Sequence, residues 1–450
     1  MRRSLVLALV LVALSVISGC AGTRREEPVT TPAPTPPAGT PPSDGTPGGP
    51  PPPAVEAWRH AHSIRVGLAV YAPSFLVAGS TEWTLSVQGG REVARRPAAV
   101  PLQIARVGEE AIEVLREGED VPLWRGTNED TLLLTPSAQG YSGWGGKWYR
   151  GTFRIFASNP DGLTIVNEVD FESYLRSVLP HEIGKPPESD FEAVKAQAVA
   201  ARSYTLSYLG RRAALGFDLY ASVEDQVYGG ISRENAQSDR ALDLTKGEVL
   251  VSEGLPIRAL YSSACGGRTS NVEDVWPWSW TPYLRSVRDA DWSPSEGEAY
   301  CSGSSNYRWR EEWEVDAFMA SLRRHAPSEG GDAGVLAGDL VDVRVKSRGR
   351  SGRVGELAVV TTRGEWTVRG DRTRWAIRRP GKDAILRSAF LKIGVLRDRK
   401  GRATQVIATG AGNGHGIGLC QWGAMGMAKA GKSYRQILGH YYRRAKLMIL

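Results

Sequence analysis

The sequence predicts an α+β protein, with a β-rich N-terminal part followed by a helical core and C-terminal helices. Three observations predict it. Apolar side chains alternate with polar or small ones through much of residues 63–170, an alanine-rich helical stretch follows a capping signal at Ser189, and a second capping signal stands near the C-terminus at Ser433.

The first residues set the compartment. Arg2 and Arg3 precede an apolar run at residues 5–17, shorter than the roughly 20 residues that span a bilayer but suited to a signal-peptide core. The run ends in Ile17-Ser18-Gly19-Cys20, which has the form of a bacterial lipobox. Residues 1–20 are therefore expected to be a lipoprotein signal peptide, leaving Cys20 as a lipid-modified N-terminus. More than one acyl chain makes such an anchor stable. Residues 21–54 are mostly Pro, Thr, Gly and Ala, with no aromatic side chain before Trp58. They cannot bury enough apolar surface to offset the entropy of ordering. Extended at about 3.1 Å per residue, such a tether reaches roughly 100 Å. The expected location is the cell envelope, outside the cytoplasm and lipid-anchored to a membrane.

Residues 55–450 exceed one ordinary core, predicting two or three subdomains: a β-rich part over 55–165 and a core over 166–450. The net charge of +7 suits an anionic surface or wall polymer. The charges are dispersed, however, as on any solvated surface.

The elements follow in order. Residues 63–70 and 151–156 read as strands, and Asn159-Pro160-Asp161-Gly162 as the turn into a return strand at 163–166. Asp170 is an N-cap for a helix through Tyr174, Leu175 and Val178, which Pro180 is expected to stop near Leu179. Ser189-Asp190-Phe191-Glu192 reads as a capping box opening a helix that ends at Gly210. Small side chains at 196–201 predict close packing on every face. Strands are expected at 247–251 and 257–261, and a hairpin at 340–345 and 356–361 joined through Gly352. A glycine-rich loop at 410–418 leads into a helix over 419–430, and Ser433 with Gln436 boxes the last helix.

Several segments then resemble one family in order: Val166-Asn167-Glu168-Val169-Asp170, Tyr174-Leu175, Pro180-His181-Glu182, residues 193–202 and Gln226-Val227-Tyr228. Ser262-Ser263 with Gly266-Gly267, Trp276, Tyr283-Leu284, residues 351–354, Leu386-Arg387-Ser388 and Gly414-His415-Gly416-Ile417-Gly418 continue the series. The chain resembles the SpoIID (LytB amidase-enhancer) family from about residue 63 to its end. The resemblance implies a peptidoglycan lytic transglycosylase, acting on glycan strands stripped of stem peptides, with Glu182 as acid/base. The alternative it implies is a non-catalytic wall-binding module that recruits or stimulates an amidase.

Chemistry supports one acid. An ordinary glycosidase needs two carboxylates. A lytic transglycosylase lets the muramic 6-hydroxyl attack the anomeric carbon, so one glutamic acid can protonate the leaving oxygen and take the hydroxyl proton. To begin protonated near neutrality it needs a raised pKa, which burial among neutral neighbours supplies.

His415, flanked by glycines that permit close approach and positive φ, is the next candidate. Arg202, Gln226 and Gln421 are candidates to hold sugar groups, Tyr228 to stack on a ring, and Trp276, Trp278 and Trp280 to flank the groove. Cys420 stands where the family commonly has serine, and Trp422 where it has tyrosine.

Cys265 and Cys301 are expected to form a disulfide, with Cys420 unpaired and buried. Some relatives are held to bind zinc through Cys and His near Ser262-Ser263. Here only Cys265 sits there, with no CxxC pair and no histidine beside it, so no metal and no cofactor is expected. Gly426-Met427-Ala428-Lys429-Ala430-Gly431-Lys432-Ser433 fits the phosphate-loop pattern but lies in a helix rather than after a strand. No nucleotide is expected, and no nucleic acid. The expected partners are peptidoglycan glycan strands, the membrane and a cell-wall amidase.

Overall fold

The computed structural model describes residues 62–158, 162–222, 224–276, 280–290, 298–328 and 330–450. The signal segment, Cys20, the tether, the tip of the turn at 159–161 and Trp278 lie outside them.

The fold is α+β. A seven-stranded sheet orders Leu219–Tyr220, Ser63–Ala72, Gly162–Asp170, Thr152–Ser158, Thr131–Pro136, Trp83–Val87 and Glu92–Arg96. A six-stranded sheet orders Lys147–Tyr149, Ser142–Trp144, Ser74–Gly79, Leu102–Val107, Ala111–Arg116 and Trp124–Thr127. Alternation did predict the pleat: Phe153 and Ile155 are fully buried while Arg154 between them is not. The strands at 152–158 and 162–170 pair antiparallel, as the turn signal predicted.

Among the described residues seven helices follow, here α1 Phe171–Glu182, α2 Phe191–Ser207, α3 Ala236–Leu244, α4 Val315–His325, α5 Arg372–Ala376, α6 Gln421–Lys429 and α7 Tyr434–Tyr441. Asp170 caps α1, its side chain accepting from Ser173 N at 2.9 Å. The helix does not stop at Leu179, as Pro180 had suggested, but runs on to Glu182. Proline in the final turn removes one hydrogen bond where the ladder is ending anyway. The amides of Ile183 and Gly184 still reach Leu179 O and Pro180 O, each at 3.1 Å.

The expected capping box at Ser189 does not form. A short 3-10 turn, Glu188–Asp190, enters α2 instead, and the Glu192 carboxylate accepts from Tyr434 N at 2.7 Å. From Ala196 to Leu206 every residue of α2 is buried. Its small side chains let α1, α3, α6 and α7 all approach it. The Ser433–Gln436 box is present at the start of α7. The phosphate-loop lookalike is the end of α6, with Gly431 at φ 77° closing it. Among the described residues no helix is long and apolar enough to cross a membrane.

Among the described residues two separate hydrophobic cores form. One joins both large sheets to α1, α2, α6 and α7, using residues 64–301 and 417–442; the other lies wholly within 309–408. The chain therefore leaves the first core after Cys301, builds a second one, and returns through the 410–418 loop. The second contains two three-stranded sheets, one of them the expected hairpin Leu340–Arg348 and Val354–Thr361 extended by Gly364–Arg369.

Candidate active site

Glu182 is the last residue of α1 and half-buried. Its Oε1 accepts the Val227 amide at 3.1 Å, and the Tyr261 side chain hydrogen-bonds it as well. Desolvation nevertheless dominates these two bonds and lifts its pKa to about 7. The groups that hydrogen-bond the side chain are neutral, so no opposite charge offsets the desolvation and the carboxyl is about half protonated at pH 7. Its own backbone carbonyl accepts from Gln421 Nε2 at 3.1 Å, at the N-terminus of α6. Neighbouring His181 gives its Nδ1 proton to Ser177 O at 2.7 Å, and burial lowers its pKa, leaving the ring uncharged.

Tyr261 is the residue that sequence reasoning missed. It begins the two-residue strand Tyr261–Ser262, which pairs in parallel with Leu419–Cys420, so it joins the Glu182 side to the glycine-rich loop. Its only signal in the sequence was its place directly before Ser262-Ser263. His415 lies on the far side of this link. Its Nδ1 accepts from Ile417 N at 3.0 Å, the ring also hydrogen-bonds the Tyr261 backbone, and burial drops its pKa to about 4. His415 is therefore a neutral ring packed 4.9 Å from that of Trp276. Trp280 is exposed, with the Arg285 guanidinium 5.5 Å from its ring centre.

The flanking glycines adopt positive φ, as expected, but the close approach is internal. A Cβ on Gly416 would meet Arg353 Nη2 at 2.2 Å, and one on Gly414 would meet Ser262 Cβ at 2.8 Å. The loop is thus shaped by its own protein contacts.

Three candidates are corrected from direct sugar contact to internal positioning. Arg202 is fully buried, its guanidinium forked onto Glu172 at 2.8 and 2.9 Å and bonded to Glu248 O. Gln226 is equally sealed: its Oε1 accepts from Tyr174 and Thr205 at 3.0 and 2.7 Å, and its Nε2 donates to the Tyr261 hydroxyl at 3.0 Å. Gln226 therefore holds Tyr261, which holds Glu182. Tyr228 is buried between the rings of Tyr149 and Tyr174 and donates to Asn167 Oδ1 at 2.6 Å. A buried side chain whose polar atoms are already bonded has nothing left for a ligand.

The cysteines form a second cluster. The sulfurs of Cys265 and Cys301 stand 3.8 Å apart as free thiols, not as the expected disulfide. Cys420 is buried and unpaired as expected, but it joins them, and so does Asp289: ligand atoms of all four lie within 4.8 Å of one another. The expectation of no metal rested on spacing in sequence, which folding overrides by drawing the four from separate segments.

Residues 159–251, which include Glu182 and Gln226, match a family model described as SpoIID, stage II sporulation protein. Residues 270–418 match a domain of unknown function, DUF8618, a span that contains the whole second core. An uncharacterized protein of Brachyspira hyodysenteriae is 31% identical over 65% of this chain and 70% of its own length. Stage II sporulation protein D of Bacillus amyloliquefaciens is 29% identical over 62% of this chain and 74% of its own. The amidase enhancer of Bacillus subtilis is 28% identical over 60% of this chain, which spans only 39% of that longer protein.

Proposed function

The chain belongs to the SpoIID/LytB family, and from that premise we propose that it is a peptidoglycan lytic transglycosylase with Glu182 as its single acid/base. A cell-wall role follows from the family. The finer reaction rests on one observation: a carboxyl lifted to about 7 by burial, still reachable by solvent, and touched by neutral donors alone.

In this reading the protonated Glu182 gives its proton to the oxygen between MurNAc and GlcNAc as that bond breaks. The muramic 6-hydroxyl attacks the anomeric carbon, and the carboxylate then takes the hydroxyl proton. The acid is regenerated, and no water is consumed. Val227 N–H and the Tyr261 hydroxyl stabilise the carboxylate formed midway, and Gln226 keeps Tyr261 in place. The reaction calls for a site outside the cytoplasm, which the proposed lipid anchor at Cys20 and the 21–54 tether supply.

The purified chain, incubated with peptide-free and with intact glycan strands, should release soluble fragments, with the peptide-free strands cut faster. Glu182→Gln keeps shape but carries no transferable proton, so release should fall by about 10²–10⁴-fold. The relative named amidase enhancer favours one second reading, a module that stimulates an N-acetylmuramoyl-L-alanine amidase. Binding without cleavage by either form, together with faster amidase turnover, would establish that reading instead.

A further inference from the structure

We propose that Cys265, Asp289, Cys301 and Cys420 hold a zinc ion in a closed, four-ligand structural site. The transglycosylase reading is not needed for this, because none of the four touches Glu182.

Zinc binds thiolate sulfur at about 2.3 Å in a tetrahedron, which sets neighbouring sulfurs about 3.8 Å apart. Cys265 and Cys301 stand at 3.8 Å, whereas a disulfide would hold them at about 2.05 Å. All four ligand atoms fall within 4.8 Å of one another, so side-chain rotation suffices to close the set.

The Cys420 sulfur accepts two amides, Cys265 N at 3.1 Å and Gly423 N at 3.3 Å, which fix its position. Asp289 is fixed through both oxygens, with Tyr441 Oη 2.5 Å from Oδ1 and Cys301 N 3.1 Å from Oδ2. Such outer contacts orient ligands in metal sites. A disulfide between Cys265 and Cys301 would use neither the Cys420 sulfur nor the carboxylate.

A carboxyl set among three thiols and sealed from water is costly to ionise unless a cation enters the cluster. On binding, the thiol protons leave to solvent and metal–sulfur bonds take their place. The fully buried Arg353, whose Nη2 donates to Cys265 O at 2.7 Å, offsets the negative charge that remains. Sulfur-rich ligation selects zinc over calcium or magnesium, and burial of all four ligands leaves no position for substrate.

The ion would join Cys265, just after the Tyr261 strand, to the 289–301 segment and to Cys420, which caps α6 through Gly423 N. Since α6 carries Gln421, the metal would brace the segments on which Glu182 rests.

The test uses the untagged full chain, purified without chelator. Elemental analysis should find about one zinc per chain, and reconstitution with cobalt(II) should give a thiolate-to-cobalt charge-transfer band. Cys301→Ser and Asp289→Asn should each lower zinc affinity by at least about tenfold and weaken that band. Chelation of the wild type should lower its melting temperature, a readout that holds even if the variants fail to fold. Wild-type protein without zinc whose non-reduced peptide map contains a Cys265–Cys301 disulfide would overturn the proposal. So would variants that keep full zinc affinity.

Discussion

Among the described residues two carboxyls are pushed to about 7, and burial is the main cause for both. Glu182 ends a helix with part of its surface open, and it accepts from a backbone amide and a tyrosine. Asp289 is fully buried, locked between Tyr441 and the Cys301 amide, and the Cys301 thiol raises it further. A shifted pKa therefore does not by itself mark a catalytic acid. Access separates the two, and only Glu182 can pass a proton to something arriving from outside.

The largest expected effect is kinetic. Glu182→Gln should slow glycan cleavage by about 10²–10⁴-fold while leaving glycan binding intact, as measured by fragment release and pull-down. Asp289→Asn should reduce cleavage only as far as it reduces the folded fraction, so activity corrected for folded protein separates the two carboxyls.

The next effect is on stability, and here the two substitutions should move in opposite directions. A carboxyl whose folded pKa is raised contributes stability that is fully present below its unfolded pKa of about 4.5 and is lost as pH rises through about 7. Replacing Glu182 with neutral Gln removes the cost of burying a charge. The variant should be more stable than wild type at pH 8, by roughly 1–3 kcal/mol after allowing for partial solvent contact, and equal to it near pH 4. Asp289→Asn removes the carboxylate that accepts from Tyr441 and that the proposed zinc would use, and should be less stable by roughly 1–3 kcal/mol. Thermal melts at the two pH values read both.

The smallest effects concern tuning. Cleavage should decline above about pH 7 as Glu182 loses its proton. The Tyr261 bond favours the carboxylate, so Tyr261→Phe should shift the falling limb of the pH–rate profile to higher pH, by less than about one unit. Gln226→Leu should leave the Tyr174, Thr205 and Tyr261 hydroxyls without their amide, destabilising by about 1–3 kcal/mol and lowering kcat more than it changes KM. A variant that loses stability with its kcat unchanged would make Gln226 structural alone.

What was legible in the sequence was local. Asp170 and Ser433 cap helices through bonds three residues away, and the alternation at 151–156 is a property of neighbours. Pairings set by the whole fold were not legible. Glu192 could not be seen to leave its capping box for an amide 242 positions on. Arg202, Gln226 and Tyr228 have side chains suited to sugars, and only their burial shows those groups turned inward. The thiol cluster draws on residues as far apart as Cys265 and Cys420, a separation that no spacing rule for metal sites spans. Glu182 is proposed because one motif places it, while Tyr261, which hydrogen-bonds it, has no motif of its own.

The central claim is that one carboxyl does the work of two, with the sugar supplying its own nucleophile. Mass analysis of fragments from peptide-free strands tests this most directly. The account predicts ends of 1,6-anhydro-muramic acid, lighter by one water than hydrolytic products, and their loss with Glu182→Gln. Reducing-end muramic acid, or anhydro ends formed as fast by the variant, would contradict it.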